Sequence, residues 1–338
     1  MTVLLHTSLA AIPLIAGIAL ARKYFWKKIP PQVFVLLWVL ALCRLLIPLW
    51  VPVSGERAKP MLNYVYGGLY NATQRTVGAV GERLVFALWL VGAAVVLISQ
   101  LAAHFRTYRQ WREALPLDNP AAEIWLAQHP CRRRVRVVKA QMEEAPFCVG
   151  TFRPLIVLPL NIETESDATI AQVLAHEWAH IRGFHPLLKY ILLAACSLHW
   201  FNPLVWLLAA LFARDMELAA DDGALRVLGR KEAKNYARML LQMEEQSTVS
   251  GGVSALGAPS LQERLEIILF KNYSQKYAIA IIVGCVFLFG CIICVPNKAI
   301  VGKEEEGNKY RQSYGETINT YLERMNEQGY TFSENYSF

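Results

Sequence analysis

His176, Glu177 and His180 stand together in the run Ala171-Gln-Val-Leu-Ala-His-Glu-Trp-Ala-His-Ile-Arg182. On a helix, residues four apart stack on one face, so both imidazoles can reach one tetrahedral zinc ion. The carboxylate between them is placed to take a proton from a metal-activated water, which is peptide-hydrolysing chemistry. A surface helix with two histidines would carry the same letters, so the rest of the chain must decide.

An acidic pair lies downstream in Arg214-Asp-Met-Glu-Leu-Ala-Ala-Asp-Asp222, where Glu217 and Asp221 share a helix face. Glu217 can complete a His-His-Glu set with one position left for water. Asp221 can orient a ligand histidine through its other ring nitrogen. Such pairs are usually a solvated face. Here the pair follows an apolar, membrane-hugging segment and the histidine motif, which favours ligation. His185 is a rival third ligand, but the three-histidine signature needs the residue that is Pro186 in this chain. His199 reads as a capping or packing residue, and Asp215 and Asp222 point away from the Glu217 face. No oxyanion partner stands out; Tyr236, Arg214 and His199 are weak candidates.

The elements that position these residues sit in an unusually apolar chain, 54% hydrophobic over 338 residues. Runs of roughly 18 or more apolar residues indicate membrane helices. Four are expected, at 2–21, 31–53, 84–104 and 278–295. Arg22, Lys23, Lys27 and Lys28 follow the first, and Arg106, Arg109 and Arg112 follow the third. Positive charge marks the cytoplasmic side, so both termini are expected outside and the motif inside the cell. No basic region precedes the first apolar run, which therefore reads as a retained anchor. The net charge of +7 is assigned to topology and anionic headgroups, and direct nucleic-acid binding is not expected. The seven cysteines are scattered and imply no disulfide framework. Cys291-x-x-Cys294 has metal-like spacing but no second pair, and reads as packing in a span.

The expected organisation is a three-helix membrane region (1–105), a cytoplasmic domain (106–276), a fourth span (277–296) and a short outer tail (297–338). In the cytoplasmic segment, Val135 to Lys139 alternates as a strand does. Leu155, Ile156, Val157 and Leu158 lie between Pro154 and Pro159 and read as an edge strand, where an extended substrate can add. Thr164 to Asp167 supply the turn and cap of the motif helix, which should run to Gly183. The stretch 187–213 could be scored as a fifth span. A simple crossing would put Glu217 on the opposite side from His176 and His180. His199-Trp-Phe-Asn-Pro203 also favours a break, since Asn202 can cap a helix and Pro203 suits its first turn. A hairpin that enters the membrane surface and returns is therefore expected, its second helix running from Pro203 to about Gly229.

The segments His176-Glu-Trp-Ala-His-Ile-Arg182, Leu198-His-Trp-Phe-Asn-Pro-Leu-Val-Trp206 and Glu217-Leu-Ala-Ala-Asp221 resemble the membrane metallopeptidases typified by the BlaR/MecR antibiotic sensors. Pro146-x-x-x-Gly150 and Arg153-Pro-Leu-Ile-Val-Leu-Pro159 are similar to that family's strand motif. The resemblance implies a mainly α membrane protein, with four transmembrane helices and a cytoplasmic α+β, gluzincin-like domain. It further implies zinc held by His176, His180 and Glu217, with Glu177 as base. Its implied action is cleavage of a cytoplasmic protein, in the sensors a DNA-binding repressor, often with self-cleavage. The implied setting is a bacterial cell membrane, with the lipid bilayer as partner and a homo-oligomer left open. Those sensors continue into a penicillin-binding domain, whereas 297–338 contains no Ser-x-x-Lys and no Lys-Thr-Gly. A covalent β-lactam receptor is therefore not expected in it.

Smaller expectations follow. The Gly- and Ser-containing segment 247–260 is a candidate self-cleavage loop. Arg44 is an intramembrane charge that is functional or meets backbone at a break near Pro48. Residues 317–328 have helix-like spacing. Two rival readings stay open. One is a processing or quality-control protease of the Ste-type or heat-shock group, which the His-Trp-Phe-Asn-Pro segment disfavours. The other is a non-catalytic signalling protein with structural zinc, which has no need of Glu177.

Overall fold

The computed structural model describes residues 2–47, 51–53, 79–110, 114–141, 145–249, 259–270 and 273–296. The expected outer tail 297–338, with its 317–328 helix, lies outside them, as does most of the candidate self-cleavage loop. The chain divides into two compact units. Within the smaller, β1 (Val51–Val53) and a last strand, Cys294–Pro296, pair in parallel.

The larger unit is mainly helical. Its apolar helices are α1 (Thr2–Phe25), α2 (Pro31–Leu46) and α3 (Ala79–Gln110), with α10 (Gln275–Ile293) last among the described residues. Thr7–Phe25 and Arg83–Ala102 are long and apolar enough to cross a membrane; Pro31–Leu46 and Gln275–Gly290 are shorter apolar helices. The second expected span therefore differs in extent. Its helix stops at Leu46, where Ile47 turns extended. Arg44 is fully buried among these helices.

The sheet combines β2 (Leu115–Pro116), β3 (Arg136–Ala140), β4 (Phe147–Val149) and β5 (Leu155–Pro159) in the order β2-β3-β5-β4. This corrects the edge-strand reading of Leu155, Ile156 and Val157. β5 runs parallel to β3 on one side and antiparallel to β4 on the other. Ile156 and Val157 are fully buried. Pro154 precedes the strand and Pro159 ends it, so neither missing N–H removes a bond from the middle of the ladder. Among the described residues, the outer strand on this side is β4.

The other α-helices of the larger unit are α4 (Pro120–Gln128), α5 (Asp167–Arg182), α6 (His185–Leu198), α7 (Pro203–Leu228), α8 (Ala233–Val249) and α9 (Leu261–Leu269). Ser166 caps α5 by accepting from the Thr169 amide at 3.2 Å. Asn202 caps α7 by accepting from Leu204 at 2.9 Å, and Pro203 opens the first turn. α7 stops at Gly229, whose φ of 92° suits a residue without Cβ.

α7 joins two apolar cores. Val205, Leu208, Phe212 and Met216 pack with α1, α2, α6 and α10. Ala224 and Leu225 pack with the sheet and with α4, α5, α8 and α9. Glu217 and Asp221 lie between these stretches. Along α1, Asn202 donates to Ser8 (2.8 Å) and Arg22 donates to Asp215 (2.7 Å), so α7 follows α1 in the same direction. At 1.5 Å per residue the shared run is about 20 Å. The turn before α7 is tied to its neighbours: Trp89 of α3 donates to the Leu198 carbonyl, and His199 meets the Leu45 carbonyl. The α6–α7 hairpin thus runs down along the apolar helices and returns beside them.

Candidate metal centre

Two helices build the site by crossing closely. α5 carries His176 and His180, with Ala179 between them, and α7 passes it at Gly223. A Cβ on Gly223 would lie 2.8 Å from the Ala179 Cβ, closer than carbon atoms pack. The missing side chain is what lets Glu217 reach the histidine face.

His176 Nε2 and His180 Nε2 are 3.1 Å apart. Glu217 Oε2 lies 3.5 Å from the first and 3.4 Å from the second. A tetrahedral ion with bonds of about 2.0–2.1 Å needs ligand atoms about 3.3 Å apart. The three edges fit that figure, and this cluster could hold a metal ion.

The outward nitrogens explain why the inward ones are free. His176 Nδ1 lies 2.9 Å from the Tyr236 hydroxyl and 3.2 Å from Asp221 Oδ1. His180 Nδ1 lies 2.7 Å from His185 Nδ1. With their protons on Nδ1, both histidines turn lone pairs toward Glu217. In that form the three acceptors need a cation among them, either a proton on His176 Nε2 or a metal ion, and two imidazoles with one carboxylate are a donor set that fits a metal.

Asp221 anchors the arrangement. It is fully buried and accepts from Tyr236 (2.8 Å) and from Arg264 Nε and Nη2 (2.8 and 2.7 Å). Burial would raise its pKa, but the Arg264 guanidinium holds it well below the carboxylate range. Burial pulls His176 down, yet hydrogen bonds to Asp221 and Glu217 outweigh it and hold the imidazole up at about 9. Glu217 is likewise raised by burial but driven well below its usual range by the charge of His180 and the hydrogen bonds of both histidines. Without metal, the cluster thus carries positive charge next to two carboxylates, and a dication can replace the proton. His185 is lowered to about 3 by burial and by the neighbouring His180.

Glu177 is buried on the same helix. Its neighbour is Cys148 of β4, whose thiol is pushed far up by burial and then by the Glu177 carboxylate. β4 therefore borders the candidate base, whereas Leu155, Ile156 and Val157 are one strand further in.

The weak oxyanion candidates are all engaged elsewhere. Tyr236 is fully buried on Asp221 and His176. Arg214 pairs with Glu263 at 2.8 Å, and His199 lies in the apolar core. Asp215 accepts from Arg22 and Trp38, while Asp222 accepts from Gln32 and Arg226, all on the far face of α7. His185 lies behind His180, outside the inward-facing triangle. Arg264 was not legible in sequence: it lies 43 residues beyond Asp221, on a helix marked only by its Ser260–Glu263 capping box.

A helical fold with a small sheet and a His-His-Glu cluster between two crossing helices has the organisation of a metallopeptidase. The chain belongs to the BlaR1 peptidase M56 family, whose model matches residues 2–268. It is similar to regulatory protein BlaR1 of Bacillus licheniformis, 28% identical over 163 residues, covering 46% of this chain and 27% of that protein. The methicillin resistance mecR1 protein of Staphylococcus aureus is 23% identical over 112 residues, 33% of this chain and 19% of that one. Regulatory protein BlaR1 of Staphylococcus aureus is 21% identical over 195 residues, 55% of this chain and 33% of that one. The matched stretches thus span a third or less of these relatives' own lengths.

Proposed function

We propose that this chain is an integral membrane zinc endopeptidase that hydrolyses a cytoplasmic protein, a transcriptional repressor or another regulator, in transmembrane signalling. The observation that carries this reading is the triangle of His176, His180 and Glu217, with edges of 3.1–3.5 Å and Glu177 beside it on the same helix. His176 and His180 would hold the zinc through Nε2, and Glu217 through Oε2. Zinc at such a site supplies Lewis acidity, polarising a carbonyl and bringing a water's pKa towards neutrality. Glu177 accepts the proton of the attacking water and returns it to the leaving amine. Asp221 and Tyr236 keep the His176 proton on Nδ1, and Arg264 keeps Asp221 ionised. The side of β4 that has no strand partner among the described residues, next to Glu177, receives the substrate backbone as an added strand.

In this reading α1, α2, α3 and α10 cross a bacterial cell membrane, both termini lie outside, and the metal centre faces the cytoplasm. The basic residues after α1 and in the last turns of α3 support that orientation. The bilayer is a partner, nucleic acid is not contacted directly, and self-association is compatible with it. The relatives named as regulatory and methicillin resistance proteins support a signalling role.

The test is Glu177→Gln in the full chain, produced in its native membrane. The variant keeps stoichiometric zinc while proteins cut by the parent chain accumulate intact. Zinc-loaded Glu177→Gln protein that still cleaves would overturn the assignment.

A further inference from the structure

We infer that His185 is the positioning residue for His180, holding that ring in the tautomer and direction that metal binding requires; this rests on the zinc reading above. His185 is 4% exposed, and its Nδ1 lies 2.7 Å from His180 Nδ1. Two ring nitrogens at that distance share one proton. His180 Nε2 faces His176 Nε2 and Glu217 Oε2 at 3.1 and 3.4 Å, so it must offer a lone pair. The shared proton then belongs to His180 Nδ1, His185 Nδ1 is the acceptor, and the remaining proton of His185 sits on its Nε2.

The chain around His185 is shaped to deliver it. Phe184 has a φ of 54°, a left-handed conformation that bulky residues seldom adopt. It turns the chain back so that His185, first residue of α6, comes under the end of α5. Arg133 holds that turn: its guanidinium lies 4.0 Å from the Phe184 ring centre, and it donates to the carbonyls of Ile181 and Thr151. Gly183 supplies the space, since a Cβ there would stand 2.5 Å from His185 Nε2. The two rings meet nearly perpendicularly, at 82°, an orientation that an edge-to-edge bond between an in-plane N–H and an in-plane lone pair allows.

The two ligand histidines are therefore supported unequally. His176 leans on an ionised carboxylate, Asp221, and His180 on a neutral imidazole. Charge accounts for the difference. A dication with Glu217, Asp221 and Glu177 ionised and Arg264 protonated sums to zero. A second supporting carboxylate in place of His185, the fourth carboxylate in all, would leave the site one charge negative. His185 thus fixes His180 without adding charge that would weaken the metal's pull on a carbonyl.

The experiment measures Zn2+ affinity by chelator competition on the metal-stripped full chain in detergent micelles, for the parent, His185→Leu, His185→Asn, His185→Asp and Glu217→Gln. Losing an outer hydrogen-bond partner typically costs about 10- to 100-fold in metal affinity, and that loss is expected for His185→Leu. The Asn side-chain oxygen stands where Nδ1 did, so His185→Asn should return to within about threefold of the parent, given that it restores the lost acceptor. His185→Asp should bind at least as tightly as the parent while its kcat falls at unchanged KM. Equal affinity of His185→Leu and parent overturns the inference, and so does equal weakness of the Leu and Asn variants. Should His185→Leu not fold, His185→Asp binding more weakly than His185→Asn overturns it. Glu217→Gln separates the two readings: unchanged affinity there removes the metal centre itself, whereas a loss there beside an intact His185→Leu removes only the role of His185.

Discussion

Replacing Arg264 by Leu isolates the anchor beneath the candidate metal centre. Arg264 gives Asp221 two hydrogen bonds, of 2.7 and 2.8 Å, in a bidentate pair. The Asp221 side chain is fully buried and that of Arg264 is 20% exposed. Removing one member of a buried pair costs about 3–5 kcal/mol, because the other charge is left without compensation. The exposed edge of Arg264 and the bonds from Tyr236 and His176 that Asp221 keeps put the cost near the lower end, about 3 kcal/mol. At about 1.4 kcal/mol per tenfold change, the population of opened chain rises roughly 100-fold. Native-state proteolysis of the metal-free full chain in micelles reads that population when closing outpaces cutting. Asp221→Leu should cost a similar amount. The double variant should cost about 2 kcal/mol less than the sum, because the two changes break one interaction. Full additivity, or less than about a threefold rise for Arg264→Leu, would refute the anchor.

Gly223→Ala sets two effects against each other. Alanine gains about 1 kcal/mol of helix propensity, but the 2.8 Å approach to the Ala179 Cβ is overpacking worth about 1–3 kcal/mol. Global stability should change little while α5 and α7 separate at the site, so zinc affinity by chelator competition should fall about tenfold or more, a cost of the same order as that overpacking; unchanged affinity would mean the crossing does not set the ligand triangle. A photo-crosslinking residue at Phe147 in β4 should capture an inactive-site substrate complex, and one at Val157 in β5 should not. Capture at Val157 alone would return the substrate strand to the interior of the sheet.

Local features of the chain carried much of this structure. Ser166, Gly183, Asn202, Pro203 and Gly229 mark helix ends because capping and left-handed backbone depend on nearby residue types. The ends of α5 and α7 agree with them. The grouping of His176, His180 and Glu217 was also readable, from helical periodicity and from the requirement that ligands lie on one side of a membrane. Strand order was not. Prolines beside Leu155 to Leu158 suggested an edge, but Val137 and Phe147 pair with β5 from opposite sides. Pairing depends on which segments fold back, and the residues of one strand do not encode that. The length of α2 was overestimated for a similar reason, since hydropathy alone does not reveal where a helix stops.

What the sequence determined by itself is the chemistry on offer: two imidazoles and a carboxylate at helical spacing, and an acidic pair on a helix face of its own. These follow from the repeat of the helix, which is local. Only the tertiary structure decided how the donors are held. Arg264 on Asp221, Tyr236 on His176, His185 behind His180 and Cys148 against Glu177 all join separate elements. Such contacts arise where α8, α9 and β4 pack on the crossing of α5 and α7 and where the chain turns at Phe184, and no spacing rule reaches across that distance.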